Sequence, residues 1–301
     1  MYTKMLVPLD GSKTAEQVLP YARFFTDRFK KPVELIAIVN IAEMMAYVSP
    51  DRAVYLYDMI HKGERRNEAY LRKIADTFHD VSIDCAIERG RAEDVITSKA
   101  EADTGMLITM ATHGRSGVDR WLLGSVTEKV LRGTANPLLV IRAKENSTFE
   151  RDASLKSILV PLDGSTLAES VLPMVAGLAK KLALPVILFR SYYLPYNVEV
   201  SNSGRYAVNV QQLVADASNE ARDYLERKAA EIKKLGVESI SCITREGLDA
   251  DEIIKMARET PECLIAMCSH GRSGVKRWVL GSVTEKVVRH SDNPVLVLRP
   301  A

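Results

Sequence analysis

Short apolar runs alternate along the chain with segments in which apolar residues recur every three or four positions. In the first half the runs predict β-strands at residues 5–9, 34–40, 82–88, 106–111 and 137–142. In the second half they predict strands at residues 158–162, 186–192, 239–244, 263–268 and 294–299. Helical periodicity fills the stretches between them, for example residues 14–29, 58–79 and 92–101. Each half is therefore predicted to be an α/β domain with a doubly wound, five-stranded parallel sheet flanked by helices.

The second half repeats the first. The heptapeptide LVPLDGS occupies residues 6–12 and again 159–165, and HGRSG occupies residues 113–117 and again 270–274. Repetition at the spacing of a whole domain indicates a duplication. We therefore predict domains at residues 1–142 and 155–301, joined by a polar linker at residues 143–154.

Composition excludes several classes of protein. Of the 301 residues 47% are hydrophobic and 27% charged, and the formal charge of +2 argues against a nucleic-acid groove or a polybasic membrane anchor. We expect no secretory signal, because the first residues lack its apolar core and its cleavage site of small residues. We expect no membrane span, because no apolar run approaches the roughly 20 residues that cross a bilayer. The cysteines show no C-x-x-C pair and no cluster with histidine, so we expect mostly buried, reduced thiols in the cytoplasm. They are Cys85, Cys242, Cys263 and Cys268.

Two loops in each half are expected to meet. A doubly wound sheet binds ligands at the carboxyl ends of its strands, where the strand order reverses between the first and fourth strands. The loop after the first strand carries Asp10 and Ser12, and its repeat carries Asp163 and Ser165. We predict that both serines cap the next helix, since no His or Lys at matching positions offers a base to activate them.

The loop after the fourth strand is rich in glycine and ends in a predicted helix. Ser125 and Glu128 have capping-box spacing, so we predict that the helix starts at Ser125 and that the Ser125 side chain caps it. The amides of a helix start suit a phosphate, and Gly114 and Gly124 would let the backbone close on it. If the motif occurred once, a simple turn followed by a helix cap would explain it equally well. The motif recurs in the second half as Gly271, Gly281, Ser282 and Glu285, and this recurrence favours a phosphate-binding loop.

These residues resemble the universal stress protein family, whose ATP-binding members carry G-x2-G-x9-G-[ST]. Gly114, Gly124 and Ser125 match the latter part of that motif, and Gly271, Gly281 and Ser282 match it again. The first glycine of the motif is replaced by Ala111 in one copy and by Cys268 in the other. The resemblance covers nearly the whole chain, twice, and implies binding of ATP, or of AMP or ADP.

The resemblance also implies roles for individual residues. Asp10 and the residues around Val39 would lie near adenine and ribose, and the phosphates near Ala111, Gly114, Gly124, Ser125 and Val126. The corresponding set in the second copy is Asp163, Tyr192, Cys268, Gly271, Gly281, Ser282 and Val283. Tyr192 would either stack on adenine or fill its pocket. Any Mg²⁺ would be held through the phosphates, with Asp10 reaching it only through phosphate or water.

Four further residues beside the glycine loops are candidate phosphate ligands. His113 and His270 would contact phosphate or shape the turn. Arg115 and Arg272 would bind phosphate bidentately or remain solvated.

The sequence favours a nucleotide-binding regulator and keeps two alternatives open. One is an enzyme, either a slow ATPase or an adenylate-forming relative, although the latter's pyrophosphate loop and the Walker A motif are missing. The other is an interaction module that has lost nucleotide, for which Ala111 and Cys268 are the best support. We predict tighter ATP binding in the N-terminal copy, because Ala111 adds only a methyl group and Val39 is smaller than Tyr192.

The duplication also predicts how the halves associate. The last strand of each half would leave an apolar edge exposed, so we expect the halves to form a pseudo-dimer through these strands. Met and Tyr residues after the second strand of each half are a candidate surface for a further homodimer. Neither the stress nor a protein partner can be named from the sequence.

Overall fold

Strands and helices alternate in both halves of the computed structural model, which describes residues 2–41, 45, 53–112, 123–143, 153–193, 210–270 and 280–299. The first half contains β1 (Met5–Pro8), a 3₁₀ turn (Ala15–Val18), α1 (Leu19–Phe29), β2 (Val33–Val39), α2 (Ala53–Ala75), β3 (Ile83–Arg89), α3 (Ala92–Ala102), β4 (Leu107–Ala111), α4 (Ser125–Gly133) and β5 (Leu138–Ile141). The second half contains β6 (Ser157–Pro161), α5 (Thr166–Glu169), α6 (Leu172–Leu182), β7 (Val186–Tyr192), α7 (Val210–Lys234), β8 (Ile240–Glu246), α8 (Asp249–Glu259), β9 (Cys263–Cys268), α9 (Ser282–His290) and β10 (Val295–Leu298). All ten predicted strands are present, with ends displaced by at most two residues.

The ten strands form one sheet in the order β3-β2-β1-β4-β5-β10-β9-β6-β7-β8. Neighbouring strands within a half are parallel, whereas β5 and β10 are antiparallel, with Leu139 opposite Leu296. The predicted contact through the last strands is therefore confirmed. Two separate five-stranded sheets would be the wrong description, because each half supplies the hydrogen-bonding edge that the other needs.

Side chains on the two faces of the sheet enter two different cores. Along β9, Leu264, Ala266 and Cys268 belong to one core, to which α1, α2, α6 and α7 also contribute, whereas Cys263, Ile265 and Met267 belong to a second core, to which α3, α4, α8 and α9 contribute. This alternation follows from the two-residue period of a strand. Cys263 and Cys268 thus lie on opposite faces, as their spacing predicts.

The four cysteines are unpaired, in agreement with the expectation of free thiols. The expectation of mostly buried thiols holds only in the interior of the sheet. Cys263 and Cys268 are buried, Cys242 is half-buried, and Cys85 is exposed because it lies on β3, an edge strand.

The strand order gives each half one switch point. After β1 the chain runs toward β2 and after β4 it runs the other way toward β5, and the loops after β6 and β9 diverge in the same manner. The loops that diverge there are those that the sequence analysis selected. Of the helices in the described part of the chain, none is long and apolar enough to cross a membrane.

Candidate functional site

The loop after β6 holds Asp163 in a fixed position. Asp163 Oδ1 accepts hydrogen bonds from Ser165 N at 2.9 Å and from Ser165 Oγ at 2.6 Å. Ser165 Oγ in turn accepts from Ala168 N at 3.1 Å and caps α5, which confirms the predicted role of this serine. Gly164, between them, has a φ of +89°, a conformation that favours glycine.

The loop after β1 has the same geometry. Asp10 Oδ1 accepts from Ser12 N at 2.9 Å and from Ser12 Oγ at 2.6 Å, and Ser12 Oγ accepts from Ala15 N at 3.1 Å. Asp10 and Asp163 are therefore equivalent, each presented at the carboxyl end of the first strand of its half.

The helix that follows the glycine loop starts where predicted but is not capped as predicted. α4 begins at Ser125 and α9 at Ser282, and the N-cap residues are Gly124 and Gly281. Neither glycine has a side chain with which to accept the first amides. The prediction of a capping box is wrong, because Ser125 already lies inside the helix. The Glu128 carboxylate pairs instead with Arg132 at 3.1 Å.

The first turn of each helix is tied to the strand before it. Gly281 N donates to Ser269 O at 2.8 Å, and Thr284 Oγ1 donates to Cys268 O at 2.8 Å. In the first half Gly124 N donates to Thr112 O at 2.7 Å, and Thr127 Oγ1 donates to Ala111 O at 2.8 Å. These bonds hold the amides of the helix start beside the carboxyl end of the strand.

Gly281 lies where a side chain would collide with the backbone. A Cβ at this position would be 3.0 Å from Ser269 O and 3.6 Å from His270 Cα. Such a close approach requires glycine unless the strand end moves. Gly124 makes the equivalent hydrogen bond, so we expect the same constraint there.

In the second half these elements enclose a cleft. It contains six of the predicted residues: Asp163, Cys268, His270, Gly281, Ser282 and Val283. Its apolar walls include Leu162, Phe189, Ile253 and Met267. Ser191 and Asp249 also line it, and Ser191 Oγ donates to Asp249 Oδ1 at 2.6 Å.

Sequence reasoning missed Ser191 and Asp249 as site residues. At the end of the second strand the resemblance pointed to Tyr192 and not to its neighbour Ser191, and the turn after β8, where Asp249 lies, was not considered. One sequence signal could have pointed to Asp249, namely Gly247 two residues before it. This glycine forms the strand-to-helix turn and has a φ of +146°.

Cys268 and Ala111 occupy the position of the first family glycine, and both are buried at a strand end. The Cys268 sulfur lies 3.1 Å from Ser170 Oγ and 3.9 Å from Ala168 O, on the side of α5. Burial raises the pKa of this thiol, which keeps it protonated at neutral pH. The sulfur is therefore anchored toward the interior at the edge of the cleft.

Val39 and Tyr192 end equivalent strands. Their carbonyl oxygens accept hydrogen bonds from Gly90 N at 3.1 Å and from Gly247 N at 2.9 Å, respectively. Val39 is buried and Tyr192 half-buried. The cleft-lining side chain at this point is that of Ser191, and strand alternation directs the neighbouring Tyr192 to the other face of the sheet.

Three further predicted residues, Ser125, Val126 and His270, lie in the described part of the chain. Ser125 is exposed at the start of α4, and Val126 packs against the core. His113, Gly114, Arg115, Gly271 and Arg272 lie outside the described residues. His270 is half-buried, and its Nδ1 lies 2.9 Å from Ser269 Oγ. Burial, with a smaller contribution from Arg299, lowers the pKa of His270, so this imidazole is neutral at pH 7.

The sequence matches the universal stress protein family over residues 1–142 and again over residues 154–299. Two universal stress proteins of Methanocaldococcus jannaschii are similar to it. One is 30% identical over 142 residues, which are 47% of this chain and 83% of the relative. The other is 29% identical over 159 residues, which are 48% of this chain and 98% of the relative.

A solved structure shares the whole architecture. The crystal structure of a universal stress protein from Archaeoglobus fulgidus superposes with a TM-score of 0.70 at 18% identity, covering 100% of both chains. At this identity the likeness shows the fold alone. Together, the two family matches, the internal repeat and the shared fold establish that the chain belongs to the universal stress protein family and carries two of its domains in tandem.

Proposed function

We propose that the chain binds adenine nucleotide, ATP first, with AMP and ADP as further ligands, and acts as a regulator in the stress response. The observation that carries this proposal is the cleft of the second half. It brings the loop after β6, the end of β9 and the start of α9 around one space. The first half repeats the Asp10 loop and the tied helix start, so we propose a second site there.

The residues of the cleft fit a nucleotide. The start of α9 offers amides that no N-cap side chain occupies, and a helix N-terminus attracts phosphate. Gly281 lets the backbone come close to such a group. Leu162, Phe189 and Ile253 offer apolar surface to a base, and Asp163 offers a fixed acceptor for ribose or base. Mg²⁺ held by the phosphates is part of the proposal.

Regulation is favoured over fast catalysis. The Ser165 hydroxyl, the obvious nucleophile near the cleft, already donates to Asp163 and accepts from Ala168, so it serves the helix cap. A slow ATPase and a nucleotide-free module of the same family remain the alternatives. We propose a cytoplasmic location, which the four free thiols support.

An unidentified protein partner and a further homodimer belong to the same proposal. Exposed apolar side chains after β2 and β7 support the homodimer. They are Met45, Tyr55, Tyr57 and Tyr193.

Released nucleotide tests the proposal directly. The purified chain is heat-denatured and filtered, and the filtrate is examined by mass spectrometry, while stripped protein is titrated with ATP in a calorimeter. We expect adenine nucleotide in the filtrate or an ATP binding event in the titration. The Gly124→Val, Gly281→Val double variant serves as the control with both clefts obstructed. A wild-type chain that neither carries nor binds nucleotide would favour the nucleotide-free module, and phosphate release from ATP would favour the ATPase.

A further inference from the structure

The two halves differ in one polar pair inside the cleft. Asp249 and Ser191 line the C-terminal cleft and are joined by the 2.6 Å hydrogen bond from Ser191 Oγ to Asp249 Oδ1. The bonds from Gly90 N to Val39 O and from Gly247 N to Tyr192 O align the two halves at this point. Counting from them, Ala92 occupies the position of Asp249 and Ile38 that of Ser191. The N-terminal half is thus apolar where the C-terminal half has a carboxylate and a hydroxyl.

Helix stabilisation alone does not explain Asp249. It is the first residue of α8, where a negative charge is favourable. The same turn already contains Asp251 and Glu252. Asp251 pairs with Lys286 at 2.7 Å and its side chain is half exposed, whereas Asp249 is directed to Ser191 in the cleft.

The wall of the cleft consequently contains two electrically different groups. The start of α9, at Gly281 and Ser282, attracts phosphate, and the carboxylate of Asp249 repels it. A nucleotide in this cleft would therefore place its phosphates at the start of α9 and leave its base for Asp249 and the apolar side chains of the same cleft, which include Phe189 and Ile253.

We propose that Asp249 and Ser191 make the C-terminal cleft selective for a nucleobase that carries an exocyclic amino group, and that the N-terminal half lacks this selection. This inference rests on the proposed nucleotide binding. An ionised carboxylate only accepts hydrogen bonds, so an amino group satisfies it. A base without that donor displaces water from the carboxylate and offers no hydrogen bond in its place. Adenine supplies such a group at N6 and guanine at N2.

The test uses the full chain with Gly124→Val, so that the titration reports the C-terminal cleft. The ligands are ATP, GTP and purine riboside 5′-triphosphate, which is ATP without its 6-amino group. We expect the better of ATP and GTP to bind at least about tenfold more tightly than the purine riboside compound, in line with a hydrogen bond to a charged group. Asp249→Ala should remove this difference. The ATP and GTP titrations identify which base supplies the amino group.

Asp251→Ala is the matched control, with the same charge lost from the same helical turn, and it should keep the difference. If Gly124→Val does not fold, the same ligands are titrated into the wild-type and Asp249→Ala chains, where only the C-terminal event should change. Equal binding of all three ligands would overturn the inference while leaving nucleotide binding intact. So would an Asp249→Ala variant that binds all three more weakly by the same factor, which is the mark of a structural role. A wild-type chain that binds none of them would overturn the proposed function as well.

Discussion

Arg299, the residue after the last strand of the second half, donates from Nη1 to the carbonyl oxygen of Thr134 in the first half at 3.0 Å. The same nitrogen donates to Arg132 O at 2.9 Å. Both carbonyls belong to the end of α4, where helical hydrogen bonding stops. In return, Arg142 of the first half donates to His290 O at the end of α9 at 3.1 Å. Each half therefore caps the last helix of the other.

This exchange predicts a stability effect at the junction. Arg299→Ala should lower the free energy of unfolding by about 1–3 kcal/mol, because it leaves two partly buried carbonyls unpaired. Arg142→Ala should lower it as well, since Arg142 also pairs with Asp292 at 3.3 Å. Urea denaturation followed by circular dichroism measures both. The control is Arg72→Ala, which removes an exposed pair with Glu68 and should change stability by less than about 0.5 kcal/mol. An Arg299 variant as stable as the Arg72 variant would contradict the capping role.

Paired glycine substitutions test the two clefts separately. Gly281→Val should weaken ATP binding at the C-terminal site by about tenfold or more, because its Cβ would lie 3.0 Å from Ser269 O, and Gly124→Val should do the same at the N-terminal site. If the N-terminal site binds more tightly, as the sequence predicts, Gly124→Val removes the tighter event in calorimetry. Loss of the tighter event in Gly281→Val would reverse that order. Circular dichroism spectra like those of the wild type show that each variant folds.

The pairing of Glu34 with two lysines should make the free energy of unfolding depend on pH. Its carboxylate is nearly buried and accepts from Lys4 Nζ at 2.5 Å and from Lys99 Nζ at 2.7 Å. Burial raises the pKa of Glu34, but the two lysines outweigh it, so the folded pKa lies below the ordinary value. The resulting stability is present above the unfolded pKa of about 4.3 and is lost as the pH falls through the folded pKa. Glu34→Gln should therefore be about 1–3 kcal/mol less stable than the wild type at pH 7, with the gap closing in acid. Denaturation at a series of pH values measures it, and a gap that persists unchanged in acid would exclude the ionic origin.

Thiol reactivity should follow position in the sheet. Burial raises the pKa of Cys263 to about 12. This residue begins β9, and its side chain is fully buried in the core on that face of the sheet. At pH 8 iodoacetamide should alkylate exposed Cys85 first, and Cys263 and Cys268 only after unfolding. Mass spectrometry of tryptic peptides gives the order. Labelling of Cys263 in the native chain at the rate of Cys85 would contradict the burial.

Local patterns along the chain were enough to predict the elements and the two loops that line the cleft of the second half. Apolar runs locate strands because a buried parallel strand is apolar on both faces, and the repeat of LVPLDGS indicates two domains without any structure. The Asp-Gly-Ser loops, the cap formed by Ser165 and the bond that Ser12 Oγ accepts from Ala15 N involve residues two and three apart, which a sequence motif encodes directly. Ser12 is not the N-cap that was predicted, because the 3₁₀ turn after it has Thr14 in that position.

Tertiary structure decided what depends on residues far apart in the chain or on the direction of a side chain. The N-cap is Gly124 and not Ser125, because the bond from Gly124 N to Thr112 O sets where the helix can begin. The register that places Leu139 opposite Leu296 merges two sheets into one. Ser191 and Asp249 meet across 58 positions because β7 and β8 are neighbours in the sheet. The sequence by itself thus determined that the chain has two similar halves and which loops of the second half line a cleft, because both are encoded in local motifs. The polar pair that distinguishes the second half from the first became visible only when the strands were placed side by side.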